Sequence, residues 1–142
     1  MKATPAGLCF ALSLASIANA AELHILAPTA LQAAMEEAIR GYERQTHHHV
    51  IFQFGTVEAT AEQALKDEKA DAVIVPSAQM NALNKANRIV PDTRRSVGRV
   101  GDSLYVYAAM RGDHEDAMRA LSAYLSFPET VAILSRRGIG TP

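Results

Sequence analysis

Short apolar runs alternate with stretches of helical periodicity along most of the chain. Residues 22–27, 49–54 and 70–75 have the length and composition of strands, and the third run is apolar almost throughout. A continuous apolar run of this kind is typical of a strand that is buried on both faces. Each run is followed by a segment in which apolar residues recur every three or four positions. Three strand–helix units in series predict a parallel sheet with helices packed against it.

Threonines stand at two of the strand–helix junctions. Thr29, with Gln32 three residues later, fits a capping box and predicts that the first helix begins there. Gly41 is expected to weaken the last turn of that helix. Thr56 follows Gly55 at the start of the second helix. The positions predicted to face inward from this second helix are Val57, Ala61, Ala64 and Leu65.

The alternation of predicted strands and helices ends beyond Pro91. Residues 96–100 and 104–110 read as two strands that only residues 101–103 separate, which predicts an antiparallel pair. Two helices follow, and the last of them is expected to begin at Pro128 and to end at Gly138. The predicted fold is α/β: a mostly parallel sheet with one antiparallel return strand and helices on both faces.

The amino-acid composition excludes several classes of function for this chain. The chain has 142 residues, 14 basic and 15 acidic side chains and 49% hydrophobic residues, as expected of a single globular domain. Its formal net charge of −1 argues against a nucleic-acid partner. Cys9 is the one cysteine, so disulfide scaffolds and cysteine-based zinc sites are excluded.

The first twenty residues have the three parts of a secretory signal. Lys2 gives the positive start, residues 6–18 form a short apolar core, and residues 18–20 fit a small-x-small cleavage site. Cys9 lies inside the apolar core and not at the cleavage point, which argues against a lipid anchor. We predict a signal peptide over 1–20, a single domain over 21–142 with no membrane span, and a periplasmic location.

Catalytic and metal-binding motifs find little support. The chain has no G-x-S-x-G and no H-E-x-x-H motif, and no cysteine after the signal, so we predict no enzyme activity and no cofactor. His47 and His49 would share one face of the second strand and offer two imidazoles to a metal ion. Two ligands make a weak site, so a polar loop is the favoured interpretation and no metal site is predicted.

Three stretches, residues 25–35, 54–76 and 119–139, resemble the N-terminal lobe of periplasmic molybdate-binding proteins. These proteins are the solute-binding components of oxyanion ABC importers, and the resemblance implies a three-layer lobe of the type II periplasmic-binding fold. Members of that family build a second lobe between strands similar to residues 97–101 and 104–110. Here only the short link at residues 101–103 joins the two strand segments. The second lobe is therefore predicted to be missing near 101–103.

The resemblance also implies where a ligand would bind. The family holds its oxyanion with hydroxyls and with backbone N–H groups at helix N-termini, which places Thr29, Ala30, Thr56 and Val57 at the site. Plain N-capping is the alternative role for both threonines. Family members usually carry serine at the position of Ala30 and near Val57, and Glu58 would repel a dianion.

We therefore expect weak or absent binding of molybdate or a related oxyanion, in a degenerate module of an ABC importer with a permease as its partner. The alternative is a periplasmic protein-interaction or scaffold domain without a small-molecule ligand. A fold alone does not decide between these functions.

Overall fold

The computed structural model describes residues 20–142, so the predicted signal peptide lies outside the described residues except for Ala20. Within residues 20–142, five strands form one sheet: β1 (Glu22–Pro28), β2 (His49–Gly55), β3 (Ala72–Pro76), β4 (Arg95–Val100) and β5 (Ser103–Ala109). Their order across the sheet is β2-β1-β3-β5-β4. β1 runs parallel to β2 and β3, whereas β5 is antiparallel to both β3 and β4. β5 is therefore the single antiparallel return strand that the sequence predicts.

Gly101 and Asp102 connect β4 directly to β5. Gly101 has a φ of 60°, in the left-handed region that glycine enters without a steric penalty. Both residues are exposed, and a β-carbon placed on Gly101 would meet no other atom within 4 Å. The predicted tight antiparallel link is confirmed.

In the described part of the chain, five α-helices cover the sheet: α1 (Gln32–Thr46), α2 (Val57–Lys66), α3 (Ser77–Lys85), α4 (Glu115–Tyr124) and α5 (Pro128–Arg136). Short 3₁₀ turns at Thr29–Leu31 and Pro91–Thr93 precede α1 and β4. Pro128 begins α5, and Gly138, with a φ of 88°, follows its end as predicted. None of the helices within 20–142 has the length and apolar character needed to cross a membrane.

The sheet separates two apolar cores, because successive side chains of a strand point to opposite faces. Leu23 and Ile25 of β1 face the layer of α1, α4 and α5, while Leu26 faces the layer of α2 and α3. β3 is buried on both sides, with Ile74 in the first core and Val73 in the second. Each fully buried side chain of this size contributes roughly 1.5–3 kcal/mol to folding. The three-layer α/β prediction is confirmed.

Reciprocal tyrosine contacts join α1 to α4. The Tyr124 hydroxyl donates to the carbonyl oxygen of Ala38 at 2.9 Å, and the Tyr42 hydroxyl donates to the carbonyl oxygen of Ala117 at 2.9 Å. Burial raises the pKa of Tyr42 to about 12. Gly41 lies in the middle of this contact, since a β-carbon placed there would overlap the Tyr124 hydroxyl. The prediction that Gly41 marks the last turn is wrong, because α1 continues to Thr46.

A buried carboxylate links the amino-terminal ends of β1 and β3 to the residue that precedes α4. Asp71 is 8% exposed, and its Oδ2 accepts the backbone N–H of His24 at 2.8 Å. Its Oδ1 lies 2.8 Å from Nδ1 of His114, the residue that precedes α4. The carboxylate is thereby satisfied on both oxygens, as a buried charge requires.

Two details of the helix prediction are wrong. The capping box at Thr29 does not form: α1 begins at Gln32, after the 3₁₀ turn, and no side chain caps that turn. In α2 the inward face is set by Thr60 and Ala64, while Leu65 is 49% exposed. Leu65 was assigned inward from its apolar character, but its position on the helix directs it to solvent.

Candidate functional site

Three strand–helix junctions lie side by side at one edge of the sheet. The carboxyl ends of β2, β1 and β3 are adjacent, and Pro28 at the end of β1 is in register with Gly55 at the end of β2. Neighbouring strands are about 4.8 Å apart, so the helical turns that follow them begin close together. Open α/β sheets bind their ligands at this edge. We call these junctions the carboxyl edge; they comprise residues 28–31, 55–58 and 76–78.

The two threonines of the carboxyl edge are exposed but already make hydrogen bonds within the protein. The Thr29 hydroxyl donates to the carbonyl oxygen of Gly55 at 3.2 Å and so links the first two junctions. Thr56 is the N-cap of α2, and its Oγ1 accepts the backbone N–H of Ala59 at 3.0 Å. Accepting that bond leaves the Thr56 hydroxyl proton available, whereas the Thr29 proton is engaged.

Ala30 and Val57 contribute backbone groups to this edge. Ala30 is exposed within the 3₁₀ turn, and Val57, the first residue of α2, is half-buried against the core beside α1. Neither side chain carries a hydroxyl. The first N–H groups of a helix have no carbonyl partner within that helix, so the N–H groups of Val57 and Glu58 remain to bind solvent or a ligand.

Glu58 is exposed in the first turn of α2. Its carboxylate complements the partial positive charge at the helix N-terminus and reduces the attraction of that terminus for another anion. Glu58 therefore lies in the first turn of the second helix, as its sequence position predicts.

Ser77 is a further residue of the carboxyl edge, beside the four that the sequence predicts. It is half-buried at the start of α3, directly after β3, and no side chain caps this helix. Its sequence signal was available, since Pro76-Ser77 follows the third strand just as Pro28-Thr29 follows the first. β1 lies between β2 and β3, so Ser77 flanks Thr29 on the side opposite Thr56.

The neighbouring histidines do not form the arrangement that their spacing suggested. His47 has a φ of 62° and ends α1, so it does not share a strand face with His49, the first residue of β2. His49 Nδ1 lies 3.3 Å from a Glu43 carboxylate oxygen, and His48 Nδ1 accepts the backbone N–H of Ala21 at 3.0 Å. Across residues 20–142, no group of three or more His, Cys, Asp or Glu side chains is arranged to hold a metal ion.

Comparison with known families adds to this geometry. Residues 23–101, more than half of the chain, match the family described as bacterial extracellular solute-binding protein. The chain belongs to this family. The carboxyl edge of this solute-binding protein lies within the matched segment. No curated protein matches it by sequence.

Solved structures share the fold of this solute-binding protein. The substrate-binding domain of a putative molybdenum ABC transporter from Clostridium difficile superposes with a TM-score of 0.77 at 11% identity, covering 87% of this chain and 100% of that one. The periplasmic molybdate-binding protein of Azotobacter vinelandii gives 0.76 at 9% identity, covering 84% and 99%. PEB3 of Campylobacter jejuni gives 0.60 at 11% identity, covering 84% and 100%. The predicted similarity to periplasmic molybdate-binding proteins is confirmed at the level of the fold.

Proposed function

We propose that this solute-binding protein is an exported module of a molybdate-type ABC importer that binds a tetrahedral oxyanion weakly at the carboxyl edge. The observation that carries the proposal is the register of Pro28 with Gly55, which brings the turns after β1 and β2 together at one end of the sheet. Helix N-termini attract anions through free N–H groups and through the helix dipole. Two structural neighbours are described as molybdenum or molybdate proteins, which supports this class of ligand.

The donor set supports low affinity. Thr56 keeps one available hydroxyl proton, whereas Thr29 donates its own to Gly55, and Ala30 and Val57 offer backbone N–H groups only. A helix N-terminus contributes about 0.3–1 kcal/mol at an exposed site, and a net hydrogen bond about 0.5–1.5 kcal/mol. Two termini with two or three such bonds reach about 4 kcal/mol, which corresponds to a dissociation constant near 1 mM.

The predicted absence of a covering second lobe also supports a dissociation constant in the millimolar range. β4 and β5 are joined through the exposed Gly101 and Asp102, the position at which the resemblance places a second lobe. A two-lobed binder closes over its ligand and excludes water. We infer that residues 21–142 form a single lobe whose oxyanion faces bulk water, where each charge interaction is weak.

The proposed location follows from the family and from the N-terminal sequence. The family is described as extracellular, and residues 1–20 fit a signal that is removed on export. We infer that the protein acts in the periplasm and that its partner is the membrane permease of an ABC importer.

Isothermal titration with molybdate, tungstate and sulfate tests the binding proposal. We expect dissociation constants in the millimolar range. A submicromolar constant for any of the three anions would refute the argument from the exposed, hydroxyl-poor edge.

Two substitutions should improve binding if the edge is the site. Glu58→Gln removes a repulsion that, for a dianion at about 8 Å in water, is about 1 kcal/mol, or roughly fivefold in affinity. Ala30→Ser should add a hydroxyl at an exposed position at little structural cost. Glu62→Gln is the matched control, because it makes the same charge change one turn further along α2. Equal effects of Glu58→Gln and Glu62→Gln would contradict the assignment of the edge.

A protein-interaction domain is the second candidate function, and Glu58 favours it. An exposed carboxylate already complements the α2 N-terminus, so this terminus needs no anionic ligand. This alternative predicts that the Ala30→Ser/Glu58→Gln variant gains no affinity for any of the three anions. It also predicts that the unmodified protein copurifies with a periplasmic protein partner.

A further inference from the structure

A groove of about 410 Å³ lies on the outer surface between α1 and the start of α5. Its volume falls within the range of small-molecule sites, about 300–1,000 Å³. The groove runs along the second half of α1, from about Arg40 onward, whereas the carboxyl edge lies before the first turn of that helix. Ten residues lie between Thr29 and Arg40 along the chain. At 1.5 Å per helical residue this corresponds to roughly 15 Å, so the groove is distinct from the carboxyl edge.

Two arginines give the groove a positive wall. Arg40 and Arg44 are exposed, four residues apart on α1, and both line the groove. Among the described residues, neither has a carboxylate oxygen within 4.0 Å. Like charges at this spacing repel each other across one helical turn. An anion placed between the two guanidinium groups would relieve that repulsion.

The nearby carboxylates leave this charge uncompensated. Glu37 is held by Arg137 at 2.6 Å and by Arg136 at 3.4 Å, and these bonds keep the pKa of its carboxyl below the ordinary value. Glu129 also lines the groove, but it lies beyond salt-bridge distance from Arg40 and Arg44.

The opposite wall is apolar and aromatic. Phe127 is 44% exposed, and its ring packs against Tyr124 with centroids 5.7 Å apart. Ile133 is half-buried beside them. Gly41 keeps the groove open between the two walls, because a β-carbon there would overlap the Tyr124 hydroxyl and lie 3.7 Å from Arg44 Nη2. In the floor, Thr130 is fully buried and its Oγ1 has no hydrogen-bond partner in the described part of the chain.

We propose that this groove binds a small organic acid that carries one carboxylate on an aromatic or branched apolar body. The carboxylate bonds the guanidinium groups of Arg40 and Arg44, whose planar donors match its two oxygens. The apolar body packs against Phe127 and Ile133, where it covers exposed aromatic surface. Simple inorganic oxyanions fill only the charged wall, so the groove selects a different chemical class from the carboxyl edge.

Benzoate is the probe that tests this proposal, with binding followed by ¹H–¹⁵N NMR of the purified protein. We expect saturable shifts of the amides that flank the groove on α1 and α5, and unchanged amides at residues 55–58. Acetate lacks the ring and benzyl alcohol lacks the charge, so each should bind at least about tenfold more weakly than benzoate.

Variants locate the site. Arg40→Gln/Arg44→Gln should weaken benzoate at least about tenfold. Phe127→Ala should also weaken it, and circular dichroism checks that this variant is folded. Arg111→Gln removes one exposed arginine elsewhere and should leave binding unchanged. The proposal is overturned if benzoate causes no saturable shifts, or if the double variant binds benzoate as well as the Arg111→Gln control does.

Discussion

Replacing Gly41 by alanine is expected to destabilise this protein, although the same change stabilises most helices by about 1 kcal/mol. The new β-carbon overlaps the Tyr124 hydroxyl, which is buried and donates to the Ala38 carbonyl at 2.9 Å. Moving that hydroxyl loses about 1 kcal/mol of hydrogen bonding and adds about 1–3 kcal/mol of crowding. After the gain in helix propensity, we expect a net loss of about 1–3 kcal/mol.

A double-mutant cycle with Tyr124→Phe isolates this contact. Tyr124→Phe alone removes the hydroxyl and should cost about 1 kcal/mol. In that background the main remaining close contact of the new β-carbon is the terminal ring carbon of residue 124, at 3.3 Å, which a small ring shift relieves. Gly41→Ala should then be neutral or stabilising by up to about 1 kcal/mol. The coupling energy between the two sites should therefore be about 1–4 kcal/mol.

Thermal and urea unfolding of the four proteins, followed by circular dichroism, measures the cycle. Each change of 1 kcal/mol in the free energy of unfolding should move the thermal midpoint by roughly 3–6 °C in a chain of this size. Ala120→Gly, at an exposed position in the middle of α4, calibrates the helix propensity and should cost about 1 kcal/mol. A Gly41→Ala protein as stable as the parent, or a coupling energy near zero, would refute the packing argument.

Three further predictions concern buried or paired polar groups. Thr130→Val replaces a buried hydroxyl that has no partner in the described residues, and should raise the free energy of unfolding by about 1 kcal/mol in urea titrations. Asp71→Ala should lower it by about 2–4 kcal/mol, because the bonds to the His24 N–H and to His114 are lost; an unchanged midpoint would contradict this. The folded state lowers the pKa of Glu37 from an ordinary 4.5, chiefly through its hydrogen bond with Arg137. The ion pair should therefore stabilise the protein above pH 4.5 and lose its effect as the pH falls through the lowered pKa. Thermal unfolding at several pH values measures this dependence, and Glu37→Gln should remove the part that Glu37 contributes.

The sheet was predictable because its signals are local. The apolar run that became β3 has the composition of a strand buried on both faces, and the structure buries it between two helical layers. Pro128 predicted the start of α5 for a similar reason, since proline fits the first helical position without losing a hydrogen bond. In both cases the residues themselves carry the information.

The errors arose where a partner distant in sequence decides the outcome. Thr29 was assigned to a capping box from its spacing to Gln32, but its hydroxyl bonds Gly55, 26 residues away and adjacent only after β1 pairs with β2. Gly41 was read as a weak point of the last turn, and its packing role depends on Tyr124 of α4.

The candidate site could be predicted in outline and not in its hydrogen bonds. Its outline follows from the order of strands and helices, because the carboxyl ends of parallel strands meet at one edge. Whether the threonine hydroxyls remain free depends on the strand register, which composition does not fix. Ser77 stands at the third equivalent junction, where it is the first residue of α3 and caps nothing, so no capping pattern marks it in the sequence.

The two-residue turn between β4 and β5 makes this protein a practical starting point for receptor engineering. Gly101 and Asp102 are exposed, and the turn stands at the same end of the sheet as the carboxyl edge, because Tyr105 near the start of β5 pairs with Pro76. Doubling the length of a flexible loop costs only about 0.6 kcal/mol of closure entropy, so a grafted loop here should leave the sheet intact. A grafted loop rich in hydroxyl donors, long enough to reach the helix N-termini, would cover a bound anion and exclude water from it.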